Sequence, residues 1–366
     1  MASPSLSVAS SSGPPTRWVG VVAIVLTLVG WSSIPLFLRH FADSIDFWTS
    51  NGWRYGFSAL FWLPVLVWGL ARRDLPVGLW RAAFWPSVIN CAAQVCFCWA
   101  HYKIDPGVLT FGLRSNIVFV TIGAALFFAA ERAVIRSPGY LVGVSMVVVG
   151  TVGTMLLGEG LPRGATLFGV ILAITSGAGF AAYALAVRHW MHGINAIQSF
   201  AAISLYTAVG MVALMLALGD RAGLTALDLV GQPVGSGGSR LWIDQFSLLL
   251  ISALIGIAFG HVAYYFSIAR LGLAVSAGVV QLQPFFVSIG SLMLFGERLT
   301  IPQWLSGGVA VAGAGLVLAM QHVRRYAEVQ RAGEPEAVEF DQLPPDHVAA
   351  AVAAETHATG DARASV

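Results

Sequence analysis

Charge is what this chain lacks most. Only 10% of its 366 residues are Asp, Glu, Lys or Arg, against about 25% in an ordinary soluble domain. With 57% apolar residues and a mean hydropathy of +0.76, the chain cannot clothe itself in a hydrated surface. Lysine is nearly absent: Lys103 stands alone, and the rest of the basic side is arginine. A net charge of +2 offers no electrostatic footprint for nucleic acid. Three cysteines, Cys91, Cys96 and Cys98, fall within one apolar run. They make no disulfide framework and, lacking acids nearby, no metal site, so they read as packing residues. No Gly-rich phosphate loop followed by Lys and Ser/Thr occurs, so neither ATP nor another cofactor is expected.

What is present is a series of apolar runs. A bilayer core about 30 Å thick needs about 20 apolar residues per spanning helix. The runs at 18–38, 53–71, 83–102, 106–128, 138–157, 166–187, 196–218, 246–269, 273–295 and 302–320 meet that length. In lipid every backbone polar group needs an internal partner, which makes each run a helix. The run after Arg17 is too long for the core of a secretory signal. The expected fold is therefore all-α: a polytopic membrane protein of about ten transmembrane helices. Residues 1–16, rich in Ser and Pro, and the tail 321–366, with Glu334, Pro335, Glu336, Pro344 and Pro345, are expected to be disordered. Residues 219–245, with Gly235, Gly237 and Gly238, read as a solvated loop.

Arginine placement suggests an orientation. With the N-terminus inside, Arg17, Arg72, Arg73, Arg81, Arg132, Arg136, Arg188, Arg270, Arg324 and Arg325 fall on the inner side. Arg39, Arg54, Lys103, Arg163, Arg221, Arg240 and Arg298 fall on the other. Both termini are expected in the cytoplasm, with a bacterial inner membrane as the compartment.

The chain resembles itself at half-length. Val118–Gly123 set over Phe285–Gly290 match at four of six positions, an offset of 285 minus 118, or 167. The same offset places Lys103 over Arg270 and Gln94 over His261, and one residue less places Glu131-Arg132 over Glu297-Arg298. Residues 17–158 and 159–320 thus read as two repeats of five helices. Five is odd, so the second repeat enters the membrane inverted, an arrangement recurrent in transporters, with the solute site between the halves.

Gln283-Pro284, then Phe295-Gly296-Glu297-Arg298-Leu299, then Trp304 and Gly307-Gly308, together with Ala130-Glu131-Arg132 and Gly143 in the first half, carry a resemblance to a known family. Over roughly residues 18–320 the chain resembles the EamA-type branch of the drug/metabolite transporter superfamily. The resemblance implies ten helices, a central cavity and alternating access, without naming a substrate. One departure stands out. Ile117 occupies the place of the family's proline, matched by Pro284 in the second half, which leaves a break in the fourth helix open.

Arg114 is the most informative residue. It lies eight residues into the fourth run, about 12 Å deep, where a charge costs roughly 2.5–3.5 kcal/mol on insertion scales. No Asp or Glu falls inside any run to neutralise it. Arg114 either attracts an anionic group of a solute, or snorkels outward or caps backbone carbonyls near a helix end. The missing acids argue against export of lipophilic cations. Asn116, Asn90, Gln94, Gln281, Gln283, His261 and Tyr264 are candidate polar lining, with Trp31, Tyr183 and Tyr206 as candidate walls. His261 is the candidate proton carrier, while His101, close to a helix end, reads as interfacial. Single Asn and Gln residues also serve as glue between helices. Gly139/Gly143 and Gly256/Gly260 are spaced for close helix packing, and the Glu-Arg pairs read as helix-end features.

The expected function is secondary transport of a small polar solute, anionic or zwitterionic, in contact with membrane lipid. Two rivals are a ligand-binding receptor or scaffold and an intramembrane serine hydrolase. The hydrolase would pair His261 with Ser176, whose Thr175-Ser176-Gly177 context lacks the Gly expected two places earlier. Direction, coupling ion and oligomeric state leave no trace in the residues.

Overall fold

A computed structural model describes residues 14–127, 132–157, 167–191, 194, 196–234, 243–271 and 273–332. Among these residues, nine helices are long and apolar enough to cross a membrane. They are α1 (Pro14–Phe41), α2 (Phe47–Arg72), α3 (Leu79–His101), α4 (Pro106–Phe127), α5 (Pro138–Leu156), α6 (Leu167–Trp190), α7 (Ala196–Leu218), α9 (Leu273–Val280 continued by Gln283–Phe295) and α10 (Ile301–Ala332). The tenth span, α8, runs as Gln245–Ala253, a π-type turn at Leu254–Phe259, and Gly260–Leu271.

Several boundaries differ from those read in the sequence. Helix α2 starts at Phe47 and not at 53, because Asp46 caps it by accepting from Trp48 N at 2.9 Å and Thr49 N at 3.0 Å. Such a cap satisfies amide donors that the first turn leaves open. Helix α10 continues to Ala332, past the expected end at 320. Helix α1 starts at Pro14, inside the segment expected to be disordered. The described part of the long loop is also packed. Its 3-10 turns at Asp220–Leu229 bury Ala226 and Leu229 against Phe41, Ile45 and Leu249. Trp53 Nε1 donates to Gly223 O at 2.9 Å, and Asp244 caps α8 from the loop's other end. Residues 1–13 and 333–366, Glu131, Arg163, Gly235, Gly237, Gly238 and Arg240 lie outside the described residues.

The principal packing is between the halves. Helix α1 lies on α8 and α9, α3 on α6, α2 on α7, α4 on α6 and α9, and α5 on α10. Exchanging each helix for its partner five places along maps this set onto itself, as two inverted repeats about a pseudo-two-fold axis require. Glycine allows the closest of these contacts. A Cβ on Gly143 would meet the backbone of Gly313 at 2.9 Å, and one on Gly150 would overlap Ala310 N. The other faces carry large apolar side chains such as Val29, Leu60, Val149, Leu216 and Met293, each more than half exposed, a surface suited only to acyl chains.

Candidate functional site

The fourth and ninth helices are both broken at repeat-equivalent places. In α4 the break is the 3-10 turn Leu113–Ser115. In α9 it is Gln281-Leu282, where amides bond three residues back, Gln281 N to Gly278 O at 3.2 Å and Leu282 N to Val279 O at 3.0 Å. Pro284 explains the second break, since it has no N–H to continue the ladder. The first break forms without a proline, so Ile117 does not restore a continuous fourth helix.

Arg114 sits in that first break and reaches across to the second. Its Nη1 donates to Gln281 Oε1 at 2.9 Å and its Nη2 to Gln283 Oε1 at 3.1 Å. Gln281 is the repeat counterpart of Arg114 itself, and Gln283 that of Asn116. Arg114 therefore points into the bundle and does not snorkel. Both acceptors are neutral, so the guanidinium keeps its full charge, and its buried Nε has no hydrogen-bond partner.

Gln283 passes the network to α1. Its Nε2 donates to Trp31 O at 2.9 Å. That carbonyl is available because Pro35, four residues on and inside α1, has no N–H to offer it. The Trp31 ring packs on His261 at 5.2 Å and on Tyr264 at 4.9 Å between centroids. His261 Nδ1 lies 2.8 Å from Ile257 O, beside the π-type turn, and Phe200 tilts over the same imidazole at 5.0 Å. Tyr264 is buried and within electrostatic reach of Arg114. Arg114, Gln281, Gln283, Trp31, His261 and Tyr264 thus form one group drawn from α1, α4, α8 and α9.

The remaining candidates lie elsewhere. Asn90 donates to Thr207 Oγ1 at 3.1 Å between α3 and α7, a link between two packed helices. Gln94 is half-buried, and its backbone carbonyl accepts from Asn51 Nδ2 at 3.3 Å. Asn116 follows the break against Gly177 of α6. Tyr183 packs in the cluster around Trp62 and Met191. Tyr206 lines a cavity of about 610 Å³ with Trp80, Arg81, Phe84, Trp85 and Trp190, at the start of α3 and apart from Arg114. Ser176 is fully buried. His101 is no interfacial residue: it is 1% exposed.

Sequence reasoning missed Phe200 and Thr207, which carry no distinguishing pattern, and Arg54, which the late start assigned to α2 had placed at the aqueous edge. It also passed over Pro35, whose place within an apolar run was a readable signal for a released carbonyl. At the helix ends, Glu297 accepts from Arg39 Nε at 2.8 Å and from the Ser291 hydroxyl, tying α9 to α1. This ion pair joins the two halves.

Comparison with known proteins agrees with this architecture. A 76-residue stretch is 28% identical to a protein of Aeromonas salmonicida (strain A449) described as "Probable 4-amino-4-deoxy-L-arabinose-phosphoundecaprenol flippase subunit ArnE", covering 21% of this chain and 67% of that protein. A solved crystal structure superposes with a TM-score of 0.50 at 16% identity, over 85% of this chain and 98% of that one, a likeness of fold. The profile of the EamA-like transporter family matches residues 18–156 and 167–319, one block for each half. With two five-helix repeats packed half against half and both matched by that profile, the chain is an integral membrane transporter and belongs to the EamA-like transporter family.

Proposed function

We propose that the protein is a secondary transporter for a small polar metabolite bearing a carboxylate or phosphate, anchored by Arg114 and moved by alternating access. The observation that carries this reading is the state of Arg114: a full charge at mid-span, held only by two neutral glutamine oxygens, one donor unpartnered, and no carboxylate in any span. An anionic group arriving there gains charge-assisted hydrogen bonds and removes the electrostatic cost of the lone guanidinium. Gln281 and Gln283 come from the opposite half, so a solute that competes for the same donors loosens the link between halves. That competition is a physical route from binding to rearrangement. The flippase relative is named for a phosphate-linked sugar, in keeping with an anionic group on the cargo. The compartment proposed is a bacterial inner membrane with both termini in the cytoplasm, by the arginine distribution.

The test is a flux assay in proteoliposomes, on solutes chosen by thermal stabilisation of the purified protein, since ligand binding to the native state raises its melting temperature. Amino acids, organic acids, sugar phosphates, nucleotides and lipophilic cations form the screen. Acids or phosphates are expected to stabilise and to be carried. Arg114→Ala is expected to insert and fold while losing at least about tenfold in affinity, the scale of one charge-assisted contact. Undiminished affinity in Arg114→Ala would sink the anchor and leave the transporter assignment standing. Stabilisation by lipophilic cations alone would overturn the anionic class.

A further inference from the structure

A second arginine lies deeper in protein than Arg114, and nothing in the transport pathway proposed above uses it. Arg54 is 3% exposed, two turns into α2. Its Nε donates to Ser252 Oγ of α8 at 3.0 Å, and that hydroxyl is itself spent on Leu249 O at 2.6 Å. Its Nη2 is buried with no hydrogen-bond partner.

Three further unpartnered polar atoms share this place. Ser50, four residues before Arg54 and so on the same face of α2, is 0% exposed, and its hydroxyl is unsatisfied. Across from it, Cys98, His101 and Tyr102 recur at i, i+3 and i+4 along the end of α3. Arg54 is within electrostatic reach of Cys98, Tyr102 and His101. Ser50 is a side-chain hydrogen-bond neighbour of Tyr102 and Cys98, yet neither its hydroxyl nor the buried Tyr102 hydroxyl and His101 Nε2 makes a bond of good geometry. The ring Nδ1 of His101 lies 2.8 Å from Phe97 O. In the neutral tautomer that leaves a lone pair at Nε2, so His101 is the acceptor of the group and the other three are donors.

Among the described residues no carboxylate pairs with this positive charge. Asp46, an acid within electrostatic reach of Cys98 and Tyr102, is committed to capping: its oxygens accept from Trp48 N, Thr49 N, Thr49 Oγ1 and Asp220 N. A guanidinium withdrawn from water with neither counter-charge nor full hydrogen bonding is strongly disfavoured, and so are buried hydroxyls left unsatisfied. A compact anion taking hydrogen bonds from Arg54 Nη2, Ser50 Oγ and the Tyr102 hydroxyl relieves the three donors, though not the His101 Nε2 acceptor. With Ser50, Arg54 and His101 almost wholly buried, a compact anion suits the group better than a carboxylate with a body attached. We infer that Arg54, Ser50 and Tyr102 form a structural site for a small inorganic anion of halide size, bound between α2, α3 and α8.

The experiment compares melting of the full-length protein, purified in detergent, in sodium chloride, sodium bromide and sodium gluconate at matched ionic strength. Chloride and bromide are expected to raise the melting temperature saturably, and gluconate, too large to enter, to leave it unchanged. Arg54→Gln is expected to abolish the halide effect, whereas Arg114→Ala keeps it. Should Arg54→Gln fail to fold, the double variant Ser50→Ala, Tyr102→Phe retains the charge. Its half-saturating halide concentration is expected to rise about tenfold, as for loss of about 1.4 kcal/mol of binding. Equal melting in halide and gluconate, an unaltered halide titration in either Arg54 or Ser50/Tyr102 variants, or loss of the effect in Arg114→Ala would each overturn the site. Because the Arg114 variant is scored separately, failure of this site and failure of the solute anchor are distinguishable.

Discussion

Asp105 closes the turn between α3 and α4, outside the membrane-spanning segments, and its carboxyl is pushed up to about 6. Withdrawal from water is the main cause; the Glu297 carboxylate adds to it and Arg39 opposes it. An acid whose pKa is raised on folding holds its proton more tightly in the native state. Stability from this group is therefore present below about pH 4 and is lost as pH rises to about 6. Asp105→Asn cannot ionise, so above about pH 6 it is expected to exceed wild type by about 1 kcal/mol, a figure reduced because the side chain is partly solvent-screened. Melting curves across that range measure it, and parallel pH dependences in the two proteins would show that burial does not act on Asp105. Single residues were unevenly legible beforehand. Arg114 declared itself, since a charge at mid-run needs a reason. Arg54 did not, because its meaning depended on whether α2 begins at 47 or 53, and hydropathy is blind to a cap like Asp46.

Among the helices, the small-residue spacing could be read directly and the breaks could not. Gly139 and Gly143 were marked for close packing, and Gly143 does meet Gly313 of α10 backbone to backbone. At Gly150 the neighbouring atoms are the backbone of Ser306 and Ala310, which cannot yield as a flexible side chain would. Gly150→Ala is therefore expected to destabilise by roughly 1–3 kcal/mol through overpacking. Gly308→Ala, where a new Cβ meets nothing within 4 Å, should be close to neutral. Thermal melting of the two variants separates the outcomes: helix propensity favours Ala at both places, so equal changes would mean that the backbone contact at Gly150 does not decide. The break in α4 escaped a reading based on proline because its repeat partner has Pro284 and it does not. What marks the break is the 3-10 turn at Leu113–Ser115 and the span of Arg114 to the other half, a long-range interaction that local residue patterns do not encode.

On the scale of the whole molecule, the two halves are fastened at different depths: by Arg114 with Gln281 and Gln283 at mid-span, and by Arg39 with Glu297 where α1 and α9 end. If transport requires these ends to part, fixing them arrests it. With Cys91, Cys96 and Cys98 replaced by Ser, a short thiol cross-linker joining Arg39→Cys to Glu297→Cys is expected to stop flux while leaving solute stabilisation intact. Continued flux in the linked protein would show that α1 and α9 stay together throughout the cycle. The number of helices and their duplication were visible in the sequence because hydropathy and a fixed offset are one-dimensional signals. Which helix lies on which was not, since ten apolar rods are nearly interchangeable to a hydropathy profile. The pairing of α1 with α8, α2 with α7 and α5 with α10 also bears on how the protein is made. While the chain emerges from the ribosome, the first five helices enter the bilayer before their main partners have been synthesised. They must wait there with glycine faces and the Arg114 guanidinium uncovered, so this period of biosynthesis is when the chain is most exposed to quality-control proteases.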